Sequence, residues 1–106
     1  MVTMTVHTLS ERLAAPDPKP VILDVREAWE LRLCALPGTQ HIPMGQIPAR
    51  IGELSPQDET VVVCHHGVRS ARVIGFLEGQ GFTRLINLTG GLDAWAREID
   101  PTMHKY

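Results

Sequence analysis

Three β-branched residues in a row, Val61-Val62-Val63, run straight into Cys64 with no polar residue between them. A strand with one wet face alternates apolar and polar side chains, so this unbroken run predicts a central strand covered on both faces. A sheet with helices on each side provides that cover. Behind the run, apolar residues recur at Ala71, Ile74 and Leu77, the spacing of one helix face, which predicts a helix over Val68 to Gly79 directly after a short turn. Gly79 and Gly81 supply left-handed conformers where that helix must stop.

The rest of the chain repeats the same alternation. Met4 to His7, Val21 to Asp24, Gln40 to Ile42, Thr60 to Cys64 and Leu85 to Leu88 read as strands. Between them lie helices: one capped by Ser10 and running through Ala14, with Pro16 and Pro18 ending it, then Glu27 to Leu33, Ile47 to Leu54, Val68 to Gly79 and Leu92 to Ile99. Strand following helix in this order predicts an α/β sandwich with a mainly parallel sheet. At 106 residues the chain suits one core, so residues 1–106 are expected to form a single domain. Aromatic residues make up only 5% of the sequence, so that core is aliphatic. The stretch 100–106 is polar with one proline, which predicts a loosely attached terminus.

Ten Lys and Arg against twelve Asp and Glu give a net charge of -2, which offers no global attraction to nucleic acid or an anionic membrane. The opening Met1-Val2-Thr3-Met4-Thr5-Val6-His7 has neither the basic nor the apolar region of a secretory signal, and no apolar run approaches membrane-spanning length. A cytoplasmic location follows as the expectation, with neither nucleic acid nor membrane as a partner. Cys34 and Cys64 do not make a disulfide framework, so cysteine chemistry is the better question.

In Cys64-His65-His66-Gly67-Val68-Arg69-Ser70, a cysteine ends a buried strand and a helix begins within a few residues, where open parallel sheets place ligand sites. Gly67 lets the backbone turn so that several N–H groups point inward, and the helix N-terminus adds partial positive charge. Together these make an anion cradle that favours a thiolate at Cys64. A buried apolar cysteine ending a strand is the ordinary alternative. Gly67 and Arg69 weigh against it, because neither serves as core filler and both suit an anion-binding loop. Arg69 either pairs with Asp24 or Glu30 to hold the loop or contacts substrate directly.

Other residues have plainer readings. Asp24 at a strand end and an exposed Arg26 are expected as loop supports through ion pairing. Trp29 and Trp95 read as packing residues on amphipathic helices. Cys34 reads as packing rather than as a thiol that resolves Cys64 to a disulfide. His65 and His66 are adjacent to a cysteine, but consecutive residues rarely converge on one ion and no partner motif exists, so no metal is expected.

The cysteine loop resembles the active-site loop of the rhodanese family, whose single-domain members carry Cys-x-x-Gly-x-Arg followed by Ser or Thr. Three further segments are similar to that family: Val21-Ile22-Leu23-Asp24-Val25-Arg26-Glu27 with Glu30 beyond; Pro37-Gly38 with Ile42-Pro43; and Asn87-Leu88-Thr89-Gly90-Gly91-Leu92-Asp93-Ala94-Trp95. The resemblance implies a three-layer sandwich, a five-stranded, mostly parallel sheet with helices on both faces, and the cysteine loop around a small pocket. It implies a cofactor-free sulfurtransferase in which Cys64 takes sulfur from thiosulfate or a persulfide and passes it to a thiol or cyanide. His65, His66, Gly67, Val68, Arg69 and Ser70 would hold the substrate, with Asp24 and Arg26 in support. A thioredoxin-like or persulfide-carrying protein would be a suitable partner.

Two departures and two rivals complete the reading. Where many relatives have Gly-His, this chain has Cys34-Ala35 before Leu36-Pro37-Gly38, which bears on local packing. His65 and His66 stand where some thiosulfate-using members have fixed positive charge, which disfavours thiosulfate as donor. One rival is a module that senses or binds sulfide or persulfide without turnover. The other is a phosphatase of the dual-specificity, cell-cycle type; its loop places five residues between Cys and Arg, whereas only His65, His66, Gly67 and Val68 intervene here.

Overall fold

The computed structural model describes residues 1–16 and 18–106. In chain order it contains β1 (Thr3–Met4), α1 (Val6–Ala14), β2 (Val21–Asp24), α2 (Ala28–Leu33), β3 (Gln40–His41), α3 (Ile47–Arg50), β4 (Thr60–Val63), α4 (Val68–Gly79), β5 (Leu85–Leu88) and α5 (Gly91–Glu98). Single 3-10 turns flank α3 at Met44–Gln46 and Ile51–Glu53. The strands form one sheet in the order β1-β5-β4-β2-β3, and every pairing is parallel.

The valine run lies on β4, the central strand, and Val61, Val62 and Val63 are each 0% exposed, as the absence of polar alternation requires. Their side chains alternate between two cores. Val61 and Val63 pack with Val6, Leu9, Leu88, Leu92 and Trp95 beneath α1 and α5, while Val62 and Cys64 pack with Ile47, Val73, Ile74 and Leu77 beneath α3 and α4. The three-layer arrangement follows from that division. It also decides that Cys64 faces the layer of α4, whose first turn it must meet.

Strands β2 and β5 and helix α4 occupy the stretches expected from the sequence. The edges differ. The strand expected over Met4 to His7 is instead Thr3–Met4, and the helix begins at Val6, because the Thr5 hydroxyl accepts the Thr8 N–H at 3.1 Å and Val6 and Leu9 bury one helical face, so Thr5 and not Ser10 is the cap. The expected helix over Ile47 to Leu54 is four helical residues with a 3-10 turn on either side; Pro48 suits its first turn and Gly52 weakens its continuation. Gly79 stays helical, and Gly81 alone takes a positive φ of 95°.

The loosely attached terminus is also corrected. Asp100 N–H bonds the Trp95 carbonyl at 3.0 Å, Met103 packs on the α1/α5 core, and Tyr106 reaches α2. Two apolar anchors within a polar stretch hold it, which average composition does not reveal.

Candidate active site

Cys64 is 1% exposed and leaves β4 just as the chain turns. Gly67 makes the turn at φ 107°, a backbone conformation that side chains disfavour, and α4 starts at the next residue. As a result the Gly67 N–H donates to Cys64 Sγ at 3.0 Å and the Ser70 N–H at 3.4 Å, with Ser70 Oγ also 3.4 Å from the sulfur. The Ser70 amide belongs to the first turn of α4, where helical N–H groups lack helical acceptors and are free to serve an anion. Two backbone amides of the loop, those of Gly67 and Ser70, thus converge on the sulfur.

The loop is held from behind by β5 and α5. Asn87 accepts the Ser70 hydroxyl through Oδ1 and donates from Nδ2 to the Gly67 carbonyl at 3.1 Å. The N–H groups of Leu92 and Asp93 bond the carbonyls of Cys64 and His65 at 2.9 and 3.0 Å. Gly91 permits that approach: its φ is 60°, and a Cβ there would fall on the Cys64 and His65 carbonyl oxygens. In the sequence Asn87 and Gly91 stand out only as parts of the Asn87–Trp95 motif. A polar residue in the otherwise apolar strand Leu85-Ile86-Asn87-Leu88 was the available signal.

Two ion pairs involve Arg69 of the loop and Asp24 at the end of β2. Arg69 binds Glu30 through two hydrogen bonds of 2.6 and 2.8 Å, so Glu30 and not Asp24 is its partner. Asp24 is taken by Arg26, whose Nη2 lies 2.8 Å from Oδ2. Arg26 is fully buried rather than exposed, because its remaining N–H groups are consumed by the Cys34 carbonyl at 2.8 Å and by Tyr106 Oη at 2.9 Å. Burial opposes its charge, and the bonds to Asp24 and Tyr106 outweigh burial, so the guanidinium stays charged. The Arg69 guanidinium and the Tyr106 hydroxyl hold the Glu30 carboxyl down at about 2 against the opposing effect of burial. Burial and the bond to Glu30 push the Tyr106 phenol up to about 12, where it remains a donor.

His65 stacks on His66 with ring centroids 4.0 Å apart and on Tyr106 at 3.9 Å and 6°. Burial, and then the neighbouring His66, lowers the His65 pKa. Among the described residues, His65, His66 and Asp93 bring nitrogen and oxygen atoms within 4.8 Å of one another, closer than consecutive histidines were expected to allow. Val68 is 63% exposed and joins the loop's outer surface. Trp95 is a packing residue, but Trp29 is 53% exposed and meets the edge of Tyr106 instead of a core. Cys34 lies 3.8 Å from Arg26 Nη1, and both cysteines are free.

The site therefore brings together a buried sulfur, two amide N–H groups aimed at it and a guanidinium paired with a buried carboxylate. The family model described as the rhodanese-like domain matches residues 5–98. The putative sulfurtransferase YtwF of Bacillus subtilis is 38% identical over 98 residues, covering 92% of this chain and 93% of that protein. A sulfurtransferase of Allochromatium vinosum is 38% identical over 92 residues, covering 86% and 84%. The crystal structure of a rhodanese-like domain protein from Staphylococcus aureus superposes with a TM-score of 0.84 at 34% identity, covering 90% of this chain and 91% of that one. Other curated relatives are longer: the chain spans 30% and 43% of the length of two of them. No helix among the described residues is long and apolar enough to cross a membrane.

Proposed function

The chain belongs to the rhodanese-like domain family, and from that premise we propose that it is a sulfurtransferase carrying sulfur as a persulfide on Cys64. The Cys64 thiolate attacks the sulfane sulfur of a donor; a new S–S bond forms as the donor's own S–S bond breaks, and the donor leaves as a thiolate, or as sulfite where thiosulfate is the donor. An acceptor thiolate then attacks the outer sulfur, forming its own persulfide and restoring the Cys64 thiolate; cyanide in that role leaves as thiocyanate. Neither step changes the net oxidation state, so no cofactor is called for.

The observation that carries this reading is the convergence of the Gly67 and Ser70 amides on a buried Sγ. Such donors stabilise the thiolate before attack and the leaving thiolate at discharge, as an oxyanion hole does for oxygen. Low-charge persulfides, including one carried on a partner protein, are the favoured donors, because the one guanidinium of the loop is already paired with Glu30 and burial disfavours the charged form of His65. A dianion such as thiosulfate gains less there. The relative named as a putative sulfur carrier protein, YrkF of Bacillus subtilis, is compatible with a protein partner.

Intact-protein mass spectrometry after treatment with glutathione persulfide tests the proposal. The wild type is expected to gain the mass of one sulfur, mapped to Cys64 and removed by dithiothreitol, while Cys64→Ser gains nothing. An adduct on Cys34 would overturn the site. Hydrolysis of an aryl phosphate faster than sulfur transfer by the same preparation would move the reaction to the phosphatase class.

A further inference from the structure

Tyr106 lies outside the stretch 5–98 that matches the family model, yet it contacts Arg26, Glu30 and His65. Its hydroxyl donates to Glu30 Oε2 at 2.6 Å and accepts from Arg26 Nη1 at 2.9 Å, while its ring lies flat on His65 at 3.9 Å. The bond to Glu30 completes a set. Oε1 accepts from the Glu27 N–H at 3.0 Å and from Arg69 at 2.6 Å, and Oε2 accepts from Arg69 at 2.8 Å and from Tyr106. A carboxylate has about four lone-pair sites, and all of them are occupied.

We propose that Tyr106 is a positioning residue that sets the charge selectivity of the Cys64 site, by locking the Glu30 carboxylate onto Arg69 and so withholding that guanidinium from anionic substrates. The inference rests on Cys64 being the reacting group of the proposed sulfur transfer. The reasoning is geometric. Glu30 is 2% exposed and fixed from one side by its own helix, so the orientation of Oε2 depends on Arg69 and Tyr106 alone. Arg69 reaches the surface, with its side chain 30% exposed, and has solvent as an alternative to the pair. Without the phenol, Oε2 loses its only uncharged donor and its restraint, the pair opens for part of the time, and the freed guanidinium attracts dianions entering toward Sγ. Tyr106 touches neither the sulfur nor the cradle amides, so it acts through Glu30.

The test uses two alkylating agents of nearly equal size, iodoacetate and iodoacetamide, with modification of Cys64 followed by peptide mass spectrometry on the full chain. Both react by displacement of iodide by the thiolate, so the ratio of their rate constants cancels the thiolate fraction and reports local charge. Tyr106→Phe keeps the stack on His65 and removes the hydroxyl; it is expected to raise the iodoacetate-to-iodoacetamide ratio about threefold, and the thiosulfate-to-glutathione-persulfide loading ratio in the same direction. Tyr106→Leu, which also removes the stack, is expected to show the same ratio. Glu30→Gln is expected to raise the ratio by itself, after which Tyr106→Phe adds nothing. An unchanged ratio in Tyr106→Phe and Tyr106→Leu, or an equal change in both rates with a lowered Tm, would overturn the inference and leave Tyr106 as packing. A wild type that takes up no sulfur while the alkylation ratio shifts as described would sink the sulfur-transfer reading and leave the charge lock standing.

Discussion

The Glu30 carboxylate on α2 and the Arg69 guanidinium on α4, five residues after Cys64, meet in a two-pronged ion pair of 2.6 and 2.8 Å. The carboxylate end is 3% exposed and the guanidinium end 30%, so the pair spans the boundary between protein and water. It ties the first turn of α4 to a second helix. The groups that donate hydrogen bonds to the sulfur itself are the backbone amides of Gly67 and Ser70.

Because Glu30 is ionised down to about pH 2 in the folded state, against an ordinary value of 4.5, its contribution to stability is fully present above about pH 4.5 and is lost as pH falls toward 2. Glu30→Gln is therefore expected to lower the unfolding free energy by on the order of 2–3 kcal/mol at pH 6, with the gap to wild type narrowing below about pH 4.5 and closing only near pH 2. Urea unfolding at several pH values reads this directly. A gap independent of pH would mean that shape, and not charge, is what Glu30 provides.

Gly91→Ala should be costly, since a Cβ at φ 60° meets the carbonyls of Cys64 and His65 that the α5 amides hold. We expect a loss of at least about 2 kcal/mol and slower alkylation of Cys64. Gly75→Ala is the control: this glycine is exposed within α4, an added Cβ there meets nothing within 4 Å, and the change should stabilise by about 0.5–1 kcal/mol. Thermal unfolding of the two variants should move in opposite directions.

Asn87→Leu removes both the acceptor of the Ser70 hydroxyl and the donor to the Gly67 carbonyl. Two buried groups lose partners, so a loss of about 1–3 kcal/mol is expected. The Gly67 and Ser70 amides also lose their fixed aim at Sγ, and iodoacetamide should react with Cys64 severalfold more slowly at pH 7. Unchanged reactivity with lowered stability would show that the cradle holds its shape without β5.

His65 is held below the usual histidine range by burial, with His66 adding to the effect. A depressed folded-state value means that the unfolded chain takes up the proton first as pH falls, so stability present above about pH 6.5 declines below it. His65→Phe keeps a flat ring between His66 and Tyr106 but cannot titrate. Relative to wild type, it is expected to gain stability between about pH 6.5 and pH 5 in urea unfolding, and parallel curves would refute the assignment of cause.

The sequence by itself determined what depends on neighbours along the chain. The Val61-Val62-Val63 run specified a doubly covered central strand, and Cys64 to Ser70 specified a strand, a glycine turn and a helix N-terminus, because backbone conformation and the aim of nearby amides are set within a few residues. Tertiary structure decided every choice among partners far apart in the chain. Arg69 had two acidic residues available and took Glu30, because Asp24, at the end of β2, is already enclosed with Arg26. Arg26, expected at the surface, is buried, since a guanidinium can leave water only where several acceptors surround it, and those come from β2, α2, the Cys34 segment and Tyr106. The polar composition of residues 100–106 said nothing of Tyr106, which is placed by two hydrogen bonds and one stacked ring contributed by residues 76, 80 and 41 positions earlier. Local pattern carries local geometry; which distant side chains satisfy one another is decided only when the sheet order and the helix layers bring them within bonding distance.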